Sequence, residues 1–229
     1  MKVETLAVPF ADRVRGDPQL QAIGKLGLRL RTFRHILDTC LPPADGRSTA
    51  ALGAGHGLFA GLAKKKGYKV TAVDARLPWT LGDGDRPQDL SGIEVVQHDV
   101  RTFDLSGFDT VLIIGLLYHL TFKDQRDLLA RCAGRPTVID TEVFDAAALP
   151  GDARDRFRYP VEIDGYHGAL VAETGDVWSS YGIDRSFWFS EESLLRFFSE
   201  VGVGRVQVVE PAYASHFGPR RWYVLDAGS

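Results

Sequence analysis

The sequence predicts an α/β fold: an open, doubly wound sheet of mostly parallel strands with helices on both faces. Three observations carry this. Apolar runs of strand length alternate with helix-length segments between Ser48 and Val201; the turn Thr49-Ala-Ala-Leu-Gly-Ala-Gly-His-Gly57 joins one such run to a helix; and a carboxylate, Asp74, ends the run that follows. Alternation of this kind is satisfied by parallel strands joined through right-handed crossovers. A glycine-rich turn between strand and helix, with an acidic residue closing the next strand, suits a Rossmann-type βαβ unit that holds a nucleoside. With 229 residues, 45% of them hydrophobic, the chain fits one large domain with a substantial core.

The elements follow in order. Met1-Lys-Val-Glu-Thr-Leu-Ala-Val-Pro-Phe10 lacks the longer apolar stretch of a secretory signal, and no window approaches a membrane span, so a cytoplasmic protein without a membrane partner is expected. Gln19 to Leu41 carries Ile23, Leu26, Leu30, Phe33 and Leu37 at helical spacing and stops at Pro42-Pro43; Gly24 and Gly27 weaken its first turns. Ser48 to Leu52 reads as a buried strand, and Leu58 to Lys66 as a helix closed by Gly67 with three lysines in its last turn. Tyr68 to Ala75 and Ile93 to Asp99 are the next strands. Phe108 to Gly115 and Pro136 to Val143 are nearly continuous apolar runs, the mark of central strands covered on both faces. Lys123 to Cys132 is the helix between them. Ser190 to Val201 is a further helix, with Ser190 as N-cap and two glutamates in its first turn. Arg205 to Glu210 and Arg221 to Leu225 are late β segments. Cys40 and Cys132 sit in apolar helical contexts, as free core thiols would.

The glycine spacing selects the nucleoside. A dinucleotide fingerprint needs a small residue at position 58, where this chain has Leu58, so a nicotinamide cofactor is disfavoured. Ligands of open α/β sheets sit at the carboxyl ends of the strands, which here are Gly53, Asp74, His98-Asp99-Val100, Gly115-Leu-Leu-Tyr-His119 and Asp140-Thr-Glu142. Asp140 and Glu142 alternate along one strand and therefore share a side. A net charge of −3 with a pI near 6.1 gives no general attraction to nucleic acid. The long stretch 145–189 is weakly periodic, contains Arg154, Arg156 and Arg158, and has aromatics with polar tips, which reads as a functional loop or cap. In it Trp188 is expected to pack, while Tyr166, His167, Glu173 and Trp178 are acceptor-site candidates.

The G-x-G-x-G turn, Asp99-Val-Arg101, Gly115-Leu-Leu-Tyr-His-Leu120, Ser186-Phe-Trp188 and Ser193-Leu-Leu195 together resemble class I S-adenosylmethionine-dependent methyltransferases. They match in particular a subset with a GLLYHL run after the fourth strand, and the likeness covers most of residues 48 to 203. It implies a seven-stranded sheet ending in an antiparallel hairpin, and a single domain: an N-terminal helical lid (17–42), a cofactor core (48–144), a substrate-side insertion (145–189) and a C-terminal helix and hairpin (190–229). It also implies S-adenosylmethionine as cofactor and S-adenosylhomocysteine as product, held by Gly53, Ala54, Gly55, Gly57, Asp74, Ala75, Asp99, Val100, Gly115 and Leu116. Asp74 would take the ribose hydroxyls and Asp99 the adenine amino group; a turn cap before Arg101 is the other reading of Asp99.

The expected reaction is methyl transfer to an oxygen or nitrogen of a small molecule, without a metal. His119 is the candidate base, since imidazole titrates at about 6.5; the alternative is an imidazole bonded to a carbonyl that only shapes the pocket. Tyr118 is placed at the substrate mouth, Asp140 either orients His119 or binds the acceptor, and Glu142, Tyr166, His167 and Trp178 are acceptor contacts. One departure stands out: Ala51 occupies the position where the family usually carries an acidic residue. Two other classes stay open, a tRNA methyl or carboxymethyl transferase and a cofactor-binding protein of this fold that no longer methylates. Composition and spacing give no oligomeric state.

Overall fold

The structure, a computed structural model, describes residues 1–9, 24–77, 90–147, 158–175, 179–215 and 218–226. The elements are β1 (Lys2–Ala7), α1 (Gly24–Thr39), β2 (Ser48–Leu52), α2 (Leu58–Lys65), β3 (Lys69–Asp74), β4 (Glu94–Gln97), β5 (Thr110–Ile114), a short 3-10 turn (Leu117–His119), α3 (Phe122–Cys132), β6 (Thr137–Glu142), β7 (Arg158–Ile163), β8 (Tyr166–Ala172), β9 (Arg185–Phe189), α4 (Glu191–Glu200), β10 (Arg205–Ser215) and β11 (Gly218–Asp226). The main sheet runs β1-β10-β11-β6-β5-β2-β3-β4. Strands β6, β5, β2, β3 and β4 are mutually parallel, and β11 pairs antiparallel with both β6 and β10. The fold is thus the expected Rossmann-like sheet with its terminal hairpin.

Among the described residues the sheet has eight strands rather than seven. The additional one, β1, pairs parallel with β10 from Lys2↔Arg205 to Ala7↔Glu210. It is an edge strand whose residues are exposed or half-exposed, so it lacks the apolar run that announces a central strand.

Helices cover both faces because the central strands are apolar on both. Every residue of β5 and β6 is buried. One face packs α3 and α4 through Leu128, Leu129, Leu194 and Phe197; the other packs α1 and α2 through Phe33, Ile36, Ala60 and Ala63. Both later helices are capped by hydroxyls: Thr121 Oγ1 accepts from the Asp124 amide and Ser190 Oγ from the Ser193 amide.

Two expectations shift. The buried stripe of α1 is Leu28, Phe33, Ile36 and Leu37, whereas Leu26 is 46% exposed, because the first turns of the helix lie over the mouth of the cleft at the strand ends rather than on the sheet; Ile23 is outside the described residues. The described part of the insertion, read as a loop or cap, has regular structure. It forms a separate antiparallel sheet, β7-β8-β9. Core alternation on its inner face, with Tyr166, Phe187 and Phe189 packed on Phe122 and Phe197, is masked in the sequence because much of the opposite face of β8 and β9 is buried too. The sheet is locked to the turn after β5: the Phe187 amide donates to the Leu120 carbonyl at 3.0 Å, and buried Gln125 Nε2 donates to the carbonyls of Leu120 and Phe187 at 3.0 and 2.6 Å.

Candidate active site

At the carboxyl ends of β2, β3, β4 and β5 lies a cleft of about 350 Å³, the size of a small-molecule site. Gly53, Ala54, Gly55, Asp74, Ala75, Asp99, Val100, Gly115 and Leu116 all line it. Gly57 does not: it stands behind the loop at φ +78°, where a Cβ would run into Leu90, so its service is to the turn. Gly55 at φ +49° has open space where a Cβ would point, leaving the loop backbone accessible to a ligand.

Asp74 ties the loop to the sheet. Its Oδ2 accepts the Gly55 amide at 2.9 Å and its Oδ1 the Arg76 amide at 3.0 Å. Burial raises its pKa, and those amides together with the Arg76 charge pull it partly back. Asp99 is engaged by Arg101, which donates through Nε at 2.9 and 3.0 Å, through Nη2 at 2.6 Å and through its own amide at 2.9 Å. That pairing holds its carboxyl below the usual range. Asp99 therefore caps the turn and also stands in the cleft wall.

Tyr118 and His119 enter the cleft from the 3-10 turn, their rings 4.2 Å apart. Trp188 packs edge-on against Tyr118, as expected of it. Burial raises the Tyr118 phenol above its ordinary value while Arg220 pulls it down, so it is a neutral hydroxyl at physiological pH.

His119 is not oriented by Asp140. Its Nδ1 lies 3.5 Å from Glu173 Oε2, at the end of β8. Ser180 fastens both: its amide donates to Glu173 Oε2 at 3.1 Å and its hydroxyl to the His119 carbonyl. Burial alone would raise the Glu173 pKa, but the nearby His119, the Ser186 side chain and the Ser180 amide hold it at about 2. Since the carboxyl titrates below its ordinary 4.5, the stability it contributes is complete above that pH and is lost as pH falls to about 2. Glu173→Gln should therefore cost up to roughly 3 kcal/mol near pH 7 and little near pH 2; urea unfolding at the two pH values measures this.

Asp140 is instead buried between two arginines. Arg29 Nε donates to its Oδ2 at 2.7 Å, and Arg220 Nε and Nη2 donate to Oδ1 and Oδ2 at 2.7 and 2.9 Å. Glu142 accepts Arg220 Nη1 at 2.8 Å, so this buried carboxylate is committed within the wall rather than free for an acceptor. Strand periodicity placed Asp140 and Glu142 on one side, and the shared arginine bears that out. Arg29 and Arg220 are functional-wall residues that sequence reading missed, since both reach Asp140 from elements remote in sequence.

Two other expected acceptor contacts are not brought to the cleft. Tyr166 is 2% exposed in the aromatic core, with its hydroxyl on Glu200. His167 points outward beside Glu162, 3.6 Å away, and lines a separate groove of about 630 Å³ between the two sheets. Trp178, Arg154 and Arg156 lie outside the described residues. Among the described residues no group of three or more His, Cys, Asp or Glu is placed to hold a metal ion, and no helix is long and apolar enough to cross a membrane.

Residues 50–135 match the family model described as a methyltransferase domain. None of the curated proteins matches the chain. Among solved structures, the N-terminal domain of EvdMO1 with S-adenosylhomocysteine bound is similar at TM-score 0.62 and 20% identity, over 87% of this chain and 80% of that one. A 1,6-didemethyltoxoflavin N1-methyltransferase from Burkholderia thailandensis, with its substrate and S-adenosylhomocysteine bound, is similar at TM-score 0.56 and 19% identity, over 95% and 86%. At such identities these likenesses speak to fold. The family match spans the glycine loop, Asp74, Asp99 and the turn at Gly115. Over residues 50–135 the chain carries a methyltransferase domain, and its fold is that of solved structures crystallised with S-adenosylhomocysteine.

Proposed function

We propose that the protein transfers the methyl group of S-adenosylmethionine to an oxygen or nitrogen of a small molecule, without a metal, with His119 as the base. The observation that carries this is the His119–Glu173 pair at the cleft beside Tyr118. The glycine loop, Asp74 and Asp99 fit the cofactor, which brings a methyl group already activated on a sulfonium. What remains for the chain is to align the acceptor, exclude water and take a proton. With Nδ1 facing Glu173 at 3.5 Å, His119 takes the acceptor proton on Nε2, and the carboxylate stabilises the imidazolium that results. Tyr118 contributes a neutral hydroxyl that can orient the acceptor.

Solved relatives support the acceptor class by analogy: one was crystallised with didemethyltoxoflavin, and EvdMO1 in the presence of D-fucose. The test is a panel of sugars, amino sugars, phenols and nitrogen heterocycles, with bulk tRNA alongside, scored by S-adenosylhomocysteine formed. A small molecule should be methylated, and His119→Ala should lower that turnover by about a hundredfold or more while S-adenosylhomocysteine affinity stays within about threefold. Unchanged turnover removes His119 as base; methylation of tRNA alone overturns the acceptor class.

A further inference from the structure

Four charged side chains converge where α1, β6 and β11 meet the wall of the cofactor cleft. Asp140 and Glu142 contribute two negative charges, Arg29 and Arg220 two positive ones, and the bonds among them make the set neutral. Three members are anchored in the main sheet. Arg29 alone comes from α1, whose first turns contain Gly24 and Gly27, poor helix formers, and an exposed Leu26 that lines the cleft. Its bond to Asp140 and its place over the Phe59 ring, 5.0 Å from the centroid, tie that end of the helix to the sheet alongside buried Leu28. The cluster also abuts the cofactor side of the sheet: a Cβ on Gly115 would meet Arg220 Nη2 at 3.1 Å and Arg29 Nη2 at 3.2 Å.

We infer that Arg29 sets how strongly this enzyme distinguishes S-adenosylmethionine from S-adenosylhomocysteine. The inference rests on the cofactor assignment. The two ligands differ by one methyl group and by the unit positive charge of the sulfonium. With Arg29 on Asp140 the wall is neutral and favours neither on charge; with Arg29 away, Asp140, Glu142 and Arg220 leave it at −1 and it favours the cation.

Calorimetric titration of the full chain with each ligand separately tests this without an acceptor. Arg29→Gln should raise the preference for S-adenosylmethionine about three- to tenfold over wild type, the scale of one unit charge across several ångströms of partly screened cleft. Asp140→Asn should lower it by a similar factor, and the double variant should return to the wild-type ratio. Each shift should shrink at high salt. Equal losses for both ligands in Arg29→Gln would mean that Arg29 contacts a group they share, and would overturn the inference, as would an unmoved ratio. If Asp140→Asn does not fold, Arg29→Gln decides alone. Wild-type protein that binds neither ligand would instead bring down the cofactor assignment itself.

Discussion

Asp74→Ala is expected to weaken binding of both S-adenosylmethionine and S-adenosylhomocysteine by at least about a hundredfold. Hydrogen bonds to a charged group are worth about 1.5–3 kcal/mol each, so if Asp74 takes two ribose hydroxyls, as proposed, its loss removes about 3–6 kcal/mol, more than two decades in affinity. The same carboxylate also fixes the loop, through the Gly55 and Arg76 amides, so the loss is compounded by a glycine turn with nothing to hold its shape. Asp74→Asn keeps one acceptor oxygen and should fall between. Burial has raised the Asp74 pKa; since only the ionised form accepts both hydroxyls, affinity should begin to fall at a higher pH than for an ordinary aspartate as the solution is acidified. Calorimetry on the three proteins, with NAD as the control ligand, measures all of this. Undiminished affinity in Asp74→Ala would place the ribose elsewhere.

Why the strand ends lining the cleft were legible and the insertion only partly so has a physical reason. A strand end, a tight turn and the start of a helix are local features, so Gly53, Gly55, Asp74, Asp99 and Gly115 can be assigned to strand ends from the sequence, and all of them line one cleft. Tyr166 and His167 are neighbours on β8 and must point to opposite faces, one into the core and one to solvent. Which face meets the cleft depends on how β7, β8 and β9 dock on α3 and α4, a tertiary fact that no period in the sequence encodes.

The same limit governs the charges. Arg29 and Asp140 are 111 residues apart and Arg220 and Asp140 are 80 apart, so a strand carrying Asp140 and Glu142 looked like a source of free carboxylates. Its signal was available in one respect: two acidic residues inside a fully buried strand demand buried partners, and arginine is the cation suited to that role. Ala51 reads differently in this light. Its place in β2 is buried at 4% exposure among apolar neighbours, where a carboxylate would need a buried partner of its own.

Arg220→Leu follows from that demand and should be among the most destabilising single substitutions in the chain. It removes the one cation shared by Asp140 and Glu142, leaving Glu142 without its Arg220 bond at 4% exposure and Asp140 dependent on Arg29 alone. Breaking a buried pair from one side costs about 3–5 kcal/mol, because a desolvated charge is stranded. For a domain of this size that corresponds to a fall in Tm of roughly 6–20 °C. The origin of the loss can be separated from lost packing. If stranded charge dominates, adding Glu142→Gln to Arg220→Leu should recover part of the Tm, since a neutral amide is far cheaper to bury than a carboxylate that has lost its arginine. If packing dominates, the double variant should melt no higher than the single one. Scanning calorimetry distinguishes the two, and a single variant that melts within a couple of degrees of wild type would show that water reaches these carboxylates in solution.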